Sequence, residues 1–112
     1  MKALLLVLIM GFIFTIDVVK SEQTNEVYID VRTWLEHRVD HIDGDPRIHV
    51  SDIVGGVTEQ YPDKSTPIKL YCERGVRAET ALQKLKAAGY LNVENVGGID
   101  DVRQSRFEES AE

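Results

Sequence analysis

An α/β fold, with a central parallel sheet flanked by helices on both faces, is predicted for this chain of 112 residues. Three observations predict it. Short β-rich runs alternate with stretches of helical periodicity, the pattern of βαβ units. The clearest helical stretch follows directly on a strong apolar run, Ile68-Lys69-Leu70-Tyr71. The apolar fraction of 43%, with 29% charged residues, is that of an ordinary globular protein and excludes a fibrous or disordered chain. Residues 22–112 can build one small domain with one core, and no repeat, low-complexity tract or linker divides them.

Val27-Tyr28-Ile29-Asp30-Val31 reads as the first strand, and Thr33 as the cap of a helix through Trp34, Leu35, Arg38 and Val39. Asp43-Gly44-Asp45-Pro46 is a polar turn that leads to a brief strand around Ile48-His49-Val50. Ser51 then caps a helix carrying Ile53, Val54, Val57 and Tyr61, which Gly55-Gly56 weakens by about 1 kcal/mol per glycine. After the turn from Pro62 to Pro67 comes the Ile68–Tyr71 strand. The next helix places Ala78, Ala81, Leu82, Leu85 and Ala88 on one face, with Gly89 as its C-cap. A last strand, Leu91 to Val96, ends at Gly97-Gly98, and the tail from Asp100 begins as a helix and then frays.

The N-terminus, Met1-Lys2 followed by apolar residues from Ala3 to Ile16, is shorter than the roughly 20 residues a membrane span requires. It reads as a signal peptide over residues 1–21, cut after Ser21 with Val19 and Ser21 in the small-residue positions. Lys20 and Asp17 are atypical there, and an uncleaved anchor is the alternative, the one route to membrane contact. Export to a periplasmic or similar compartment is expected, where a lone cysteine can form no internal disulfide. The net charge of −6 argues against nucleic-acid binding.

Against that acidic background the single cysteine, Cys72, ends its strand and opens the loop Glu73-Arg74-Gly75-Val76-Arg77, with Ala78 in the helix that follows. In an open parallel sheet the ligand site lies beyond the carboxyl ends of the strands, which is where Cys72 falls. A strand-to-helix turn aims backbone N–H groups and the positive helix end at the sulfur, favouring thiolate and holding an anion beside it. Arg74 and Arg77 add positive charge. Cysteine at the end of a strand is commonly just core, but the charged, glycine-containing loop argues against burial here. Asp30 and Arg32 read as a structural pair rather than catalytic groups. His37, His41 and His49 are not spaced as a metal site with Cys72, so no metal or cofactor is expected.

The run Tyr71-Cys72-Glu73-Arg74-Gly75-Val76-Arg77-Ala78 resembles the active-site loop of rhodanese-type sulfurtransferases, roughly C-x-x-G-x-R-S/A. Tyr28-Ile29-Asp30-Val31-Arg32 is similar to the family's first strand with its D-V-R ending, His41-Ile42-Asp43-Gly44 to its G-H-I-x-G-A segment, and Asn95-Val96-Gly97-Gly98-Ile99 to its closing G-G turn. These matches span nearly the whole of residues 22–112 in the family's order, and the size resembles its small, exported, single-domain members. Asp40 stands where the family usually has Gly, and Asp45 where it has Ala, departures that bear on the packing of that turn.

The resemblance implies a rhodanese-like domain that works by ping-pong sulfur transfer. Cys72 takes the outer sulfur of an anionic donor such as thiosulfate as a persulfide and hands it to cyanide or a thiol. Glu73 to Ala78 would bind the donor, through N–H groups from Arg74 onward and guanidinium charge. The loop is one residue shorter than the C-x-x-x-x-x-R ring of cysteine phosphatases and arsenate reductases, which makes that relationship the lesser alternative. A second alternative is a persulfide carrier or binding module without turnover, which Glu73 would favour by opposing anionic donors by about 1 kcal/mol. Nothing calls for a dimer, and a monomer is expected.

Overall fold

The computed structural model describes residues 25–111. The expected signal segment, its cut after Ser21 and the alternative anchor lie outside the described residues. No helix among the described residues is long and apolar enough to cross a membrane.

Three strands form one parallel sheet in the order β1-β2-β3: β1 Val27–Asp30, β2 Ile68–Cys72 and β3 Val93–Gly98. Between β1 and β2 run α1, Trp34–Val39, and α2, Ile53–Gln60; α3, Val76–Ala87, joins β2 to β3, and α4, Ile99–Ala111, follows β3. The strand β2 is central, so its alternating side chains meet a helical layer on each side. Ile68, Leu70 and Cys72 join Ile29 and Val31 against Ile53 and Val57 of α2 and Ala78, Ala81, Leu82 and Leu85 of α3. Tyr71 points the other way, into a smaller cluster with Ile99 and Val102 of α4. Each buried Leu or Ile contributes about 1.5–3 kcal/mol relative to exposure, so the α3 face carries most of the stability.

The expected layout with helices on both faces is present, with local corrections. Ile48-His49-Val50 is not a strand. The chain makes a single parallel bridge, Arg47 with Asp30, and then turns into a short 3-10 helix, Val50–Asp52. Pro46 lacks the N–H that would extend the ladder back toward Tyr28, and on the other side of the bridge the His49 side chain accepts from the Ser51 N–H and starts the turn. Ser51 is therefore not the cap of α2; its own N–H is the group being capped. Gly56 answers to packing: a Cβ there would stand 2.7 Å from Cγ2 of Ile48. Gly89, at φ +95°, ends α3 as expected, and the Tyr90 N–H reaches back to the Leu85 carbonyl. The last strand starts two residues later than expected and includes Gly97 and Gly98, and α4 continues to Ala111 instead of fraying.

Candidate functional site

Pairing with β3 shifts register between Leu70 and Cys72, so that Cys72 lies opposite Gly98 as the chain leaves the sheet. The loop that follows is pressed against the end of β3. Gly75 sits at φ +95°, and a Cβ there would come within 3.2 Å of the Gly97 Cα. A Cβ on Gly98 would collide with the Glu73 carbonyl oxygen at 2.3 Å. Asn95 holds the approach together, donating from Nδ2 to the Gly75 carbonyl at 3.0 Å and accepting the Gly97 N–H at 2.9 Å. The Asp101 carboxylate accepts the Gly98 N–H at 2.8 Å. The two glycines of β3 are thus the room through which the cysteine loop passes.

Gly75 donates its N–H to Sγ of Cys72 at 3.0 Å. Val76, Arg77 and Ala78 form the first turn of α3, whose N–H groups have no intrahelical acceptor and whose dipole is positive at this end. The sulfur is therefore set among donors. It is also buried, at 1% exposure, which corrects the expectation drawn from the charged loop. Alternation along β2 points Cys72 to the same side as Ile68 and Leu70, and the loop arches over it. A cavity of about 250 Å³ lined by Cys72, Glu73, Arg74, Val76 and Arg77 gives access.

The other expected site residues divide sharply. Arg74 is exposed at this cavity and has no carboxylate within ion-pair distance among the described residues. Arg77 also lines it, but its guanidinium is clamped on Glu36 of α1 at 2.6 and 2.8 Å. The pairing holds the Glu36 carboxyl down at about 2 and raises Arg77 further. The expectation that both arginines lend free charge is thus corrected: Arg77 is matched by a carboxylate, and Arg74 is left. Glu73 is half-exposed and faces Arg32 at 3.4 Å, which offsets part of its repulsion toward anions. Val76 is exposed, and the Ala78 side chain packs in the core, so only its backbone is available to a ligand.

Asp30 and Arg32 form the structural pair expected of them. Arg32 donates from Nε and Nη2 to both carboxylate oxygens of Asp30 at 2.9–3.2 Å, and from Nη2 to the Asp40 carbonyl at 2.6 Å. It ties β1 to the end of α1 and to Glu73. Asp40 and Asp45, the two unusual residues, each engage α4: Asp40 pairs with Arg103, and Asp45 with Arg106 while accepting the Tyr71 hydroxyl at 2.8 Å. His41 stacks on His37 and faces Asp43, and His49 caps the 3-10 turn.

Sequence reasoning missed Glu36 and Asn95. Glu36 had a legible signal, the Thr33-x-x-Glu36 capping box, and both of its reciprocal hydrogen bonds are present. Its second task, receiving Arg77 from 41 residues away, had none. Asn95 was visible only as part of the closing turn.

A family model described as a rhodanese-like domain matches residues 15–105. The thiosulfate sulfurtransferase PspE of Escherichia coli (strain K12) is 30% identical over 95 residues, covering 85% of this chain and 88% of that protein. A tRNA uridine(34) hydroxylase of Buchnera aphidicola subsp. Baizongia pistaciae (strain Bp) is also 30% identical over 95 residues, covering 78% of this chain but 30% of that protein. Among solved structures, a rhodanese with anions from E. coli superposes with a TM-score of 0.65 at 33% identity, over 68% of this chain and 89% of that one.

Proposed function

This chain belongs to the rhodanese-like sulfurtransferase family, and on that premise we propose that it moves the sulfane sulfur of thiosulfate to cyanide or a thiol through a persulfide on Cys72. The observation that carries the reading is the sulfur itself: a lone thiol at a helix start, 3.0 Å from a backbone N–H, on a residue that lines a small cavity. The Cys72 thiolate attacks the outer sulfur of thiosulfate. An S–S bond forms to Cys72 as the S–S bond of thiosulfate breaks, and sulfite leaves with the electron pair. Cyanide then attacks the terminal sulfur, thiocyanate departs and the thiolate returns. Charge balances at both steps, and neither needs an external base or oxidant.

Negative charge gathers on both sulfurs in each transition state. The Gly75 N–H and the first turn of α3 face that charge without reorganising. Arg74, the uncompensated guanidinium, attracts the dianionic donor to the mouth, while Arg77 is held by Glu36 and shapes the wall. The N-terminal segment fits a signal peptide over residues 1–21 that exports a single domain of residues 22–112 to the periplasm or an equivalent space, where it works as a monomer.

Steady-state formation of thiocyanate from thiosulfate and cyanide tests the reading. Cys72→Ser is expected to abolish it, and Arg74→Gln to raise KM for thiosulfate about tenfold with a smaller change in kcat, the loss of one charge-assisted contact. Persulfide formation without turnover would favour the carrier. No persulfide and no turnover would remove both sulfur readings.

A further inference from the structure

Gly75 serves the sulfur and the helix at once. Its N–H is the one hydrogen-bond donor on Sγ of Cys72 among the described residues, at 3.0 Å, and its carbonyl begins α3 by accepting the Glu79 N–H at 3.1 Å. Both groups are aimed by one left-handed pair of backbone angles, φ +95° and ψ −8°. A polar residue at this position fastens its helix through a side-chain oxygen that accepts a first-turn N–H. Glycine has no such oxygen, and α3 starts without a side-chain cap. The first-turn N–H groups are thereby spared a competing acceptor, but the turn has no fastening of its own.

The fastening comes from β3. Asn95, half-buried beside the loop, donates from Nδ2 to the Gly75 carbonyl at 3.0 Å while its Oδ1 accepts the Gly97 N–H at 2.9 Å. These partners dictate the orientation of the amide, since a carbonyl can only accept and an N–H can only donate. Glu79 of α3 steadies the same amide, its Oε2 accepting from Nδ2 at 3.1 Å. That bond, with one from Gln83, keeps the Glu79 carboxyl below its usual range, so the acceptor is ionised in use. Asn95 thus ties down the residue whose N–H meets the sulfur, and it does so through the carbonyl, spending none of the donors around Sγ. Aspartate has the same shape but two acceptors and no donor, so it would keep Gly97 and release Gly75.

We propose that Asn95 is a positioning residue for sulfur loading: by holding the Gly75 carbonyl it keeps the Gly75 N–H on Sγ while charge moves through the sulfur. In that step the Cys72 thiolate forms an S–S bond to the outer sulfur of thiosulfate, the S–S bond of thiosulfate breaks, and sulfite leaves with the electron pair. A donor that stays aimed throughout stabilises the transition state without reorganising. Asn95 does not line the cysteine cavity, so its effect falls on the rate of the step and not on the binding of the donor. The inference rests on the sulfurtransferase reading and adds to it a residue that acts through Gly75.

The gain of one sulfur by the full-length protein is followed by rapid-quench mass spectrometry over a series of thiosulfate concentrations, for the wild type, Asn95→Asp and Asn95→Ala. Salt at about 0.5 M screens the charge that aspartate adds. Aspartate loses only the donor to Gly75, whereas alanine also loses the acceptor for Gly97. Both variants are expected to load to completion with the limiting rate lowered about tenfold, the size of one lost hydrogen bond at a site that demands alignment. The half-saturating thiosulfate concentration is expected to stay within about twofold of the wild type, the mark of an interaction that matters in the transition state alone. An Asn95→Asp limiting rate equal to the wild type would overturn the inference, because the Gly97 bond alone would then account for the residue. A loss confined to the fraction of protein that loads would overturn it as well, since that is what a loosened fold produces. Should Asn95→Ala fail to fold, Asn95→Asp decides. If the wild type never loads sulfur, the sulfurtransferase reading itself fails; if it loads and Asn95→Asp loads as fast, the role of Asn95 alone fails.

Discussion

The helices α1 and α3 flank the same cysteine and are built on opposite terms. α3 buries Ala78, Ala81, Leu82 and Leu85 and is held by the core. α1 buries nothing and is held by polar fastenings: its Thr33–Glu36 capping box, the Glu36–Arg77 clamp and the Arg32 bond to the Asp40 carbonyl. The difference separates two tasks. The helix that must aim its N-terminus at the sulfur is fixed by packing, which tolerates no drift. The helix that forms the rim keeps its apolar side chains, Leu35 and Val39, outward.

Core truncation breaks the comparison most sharply. Leu85→Ala is expected to cost about 2–5 kcal/mol in urea unfolding, whereas Leu35→Ala on α1 is expected to stay within about 0.5 kcal/mol of wild type. Gly75→Ala comes next, because it forces a side chain into a left-handed backbone against Gly97. A loss of about 1–3 kcal/mol is expected, with a fall in sulfur-transfer rate as the N–H on Sγ is displaced.

Glu36→Gln sharpens the contrast from the other side. An ion pair about one-third exposed contributes no more than about 1 kcal/mol, so the melting temperature should barely move. The rate is expected to fall severalfold as Arg77 loses its bidentate seat, and an Asp at 36 should not restore it. The smallest effect is a titration. Arg77 lowers the Glu36 carboxyl from its ordinary 4.5 to about 2, so the clamp contributes fully above pH 4.5 and is lost as pH falls toward 2. Trp34, the chain's one tryptophan, lies on α1 and reports on it. Its fluorescence is expected to change across that window in the wild type, and Glu36→Gln to remove that part of the change.

The α/β layout was legible because its signals are local and repeated: the apolar face of α3, the strand before it, and the glycine that ends it. The position of Cys72 at the strand end was legible for the same reason, as was the structural role of Asp30 and Arg32. Burial of the sulfur was not, since the charged loop above it exposes its own side chains while covering Cys72, a matter of path rather than composition. Nor was the matching of Arg77, whose partner lies on another helix. The strand expected at Ile48–Val50 failed on the side chain of His49, where local hydrogen bonding overrode β propensity.

The most direct test of the account is the intact mass of the protein after incubation with thiosulfate and removal of the excess, beside Cys72→Ser. A gain of one sulfur atom on the wild type, absent from the variant and discharged by cyanide as thiocyanate, is predicted. An unchanged wild-type mass, or an equal gain on Cys72→Ser, would contradict the assignment of Cys72 as the sulfur-carrying nucleophile.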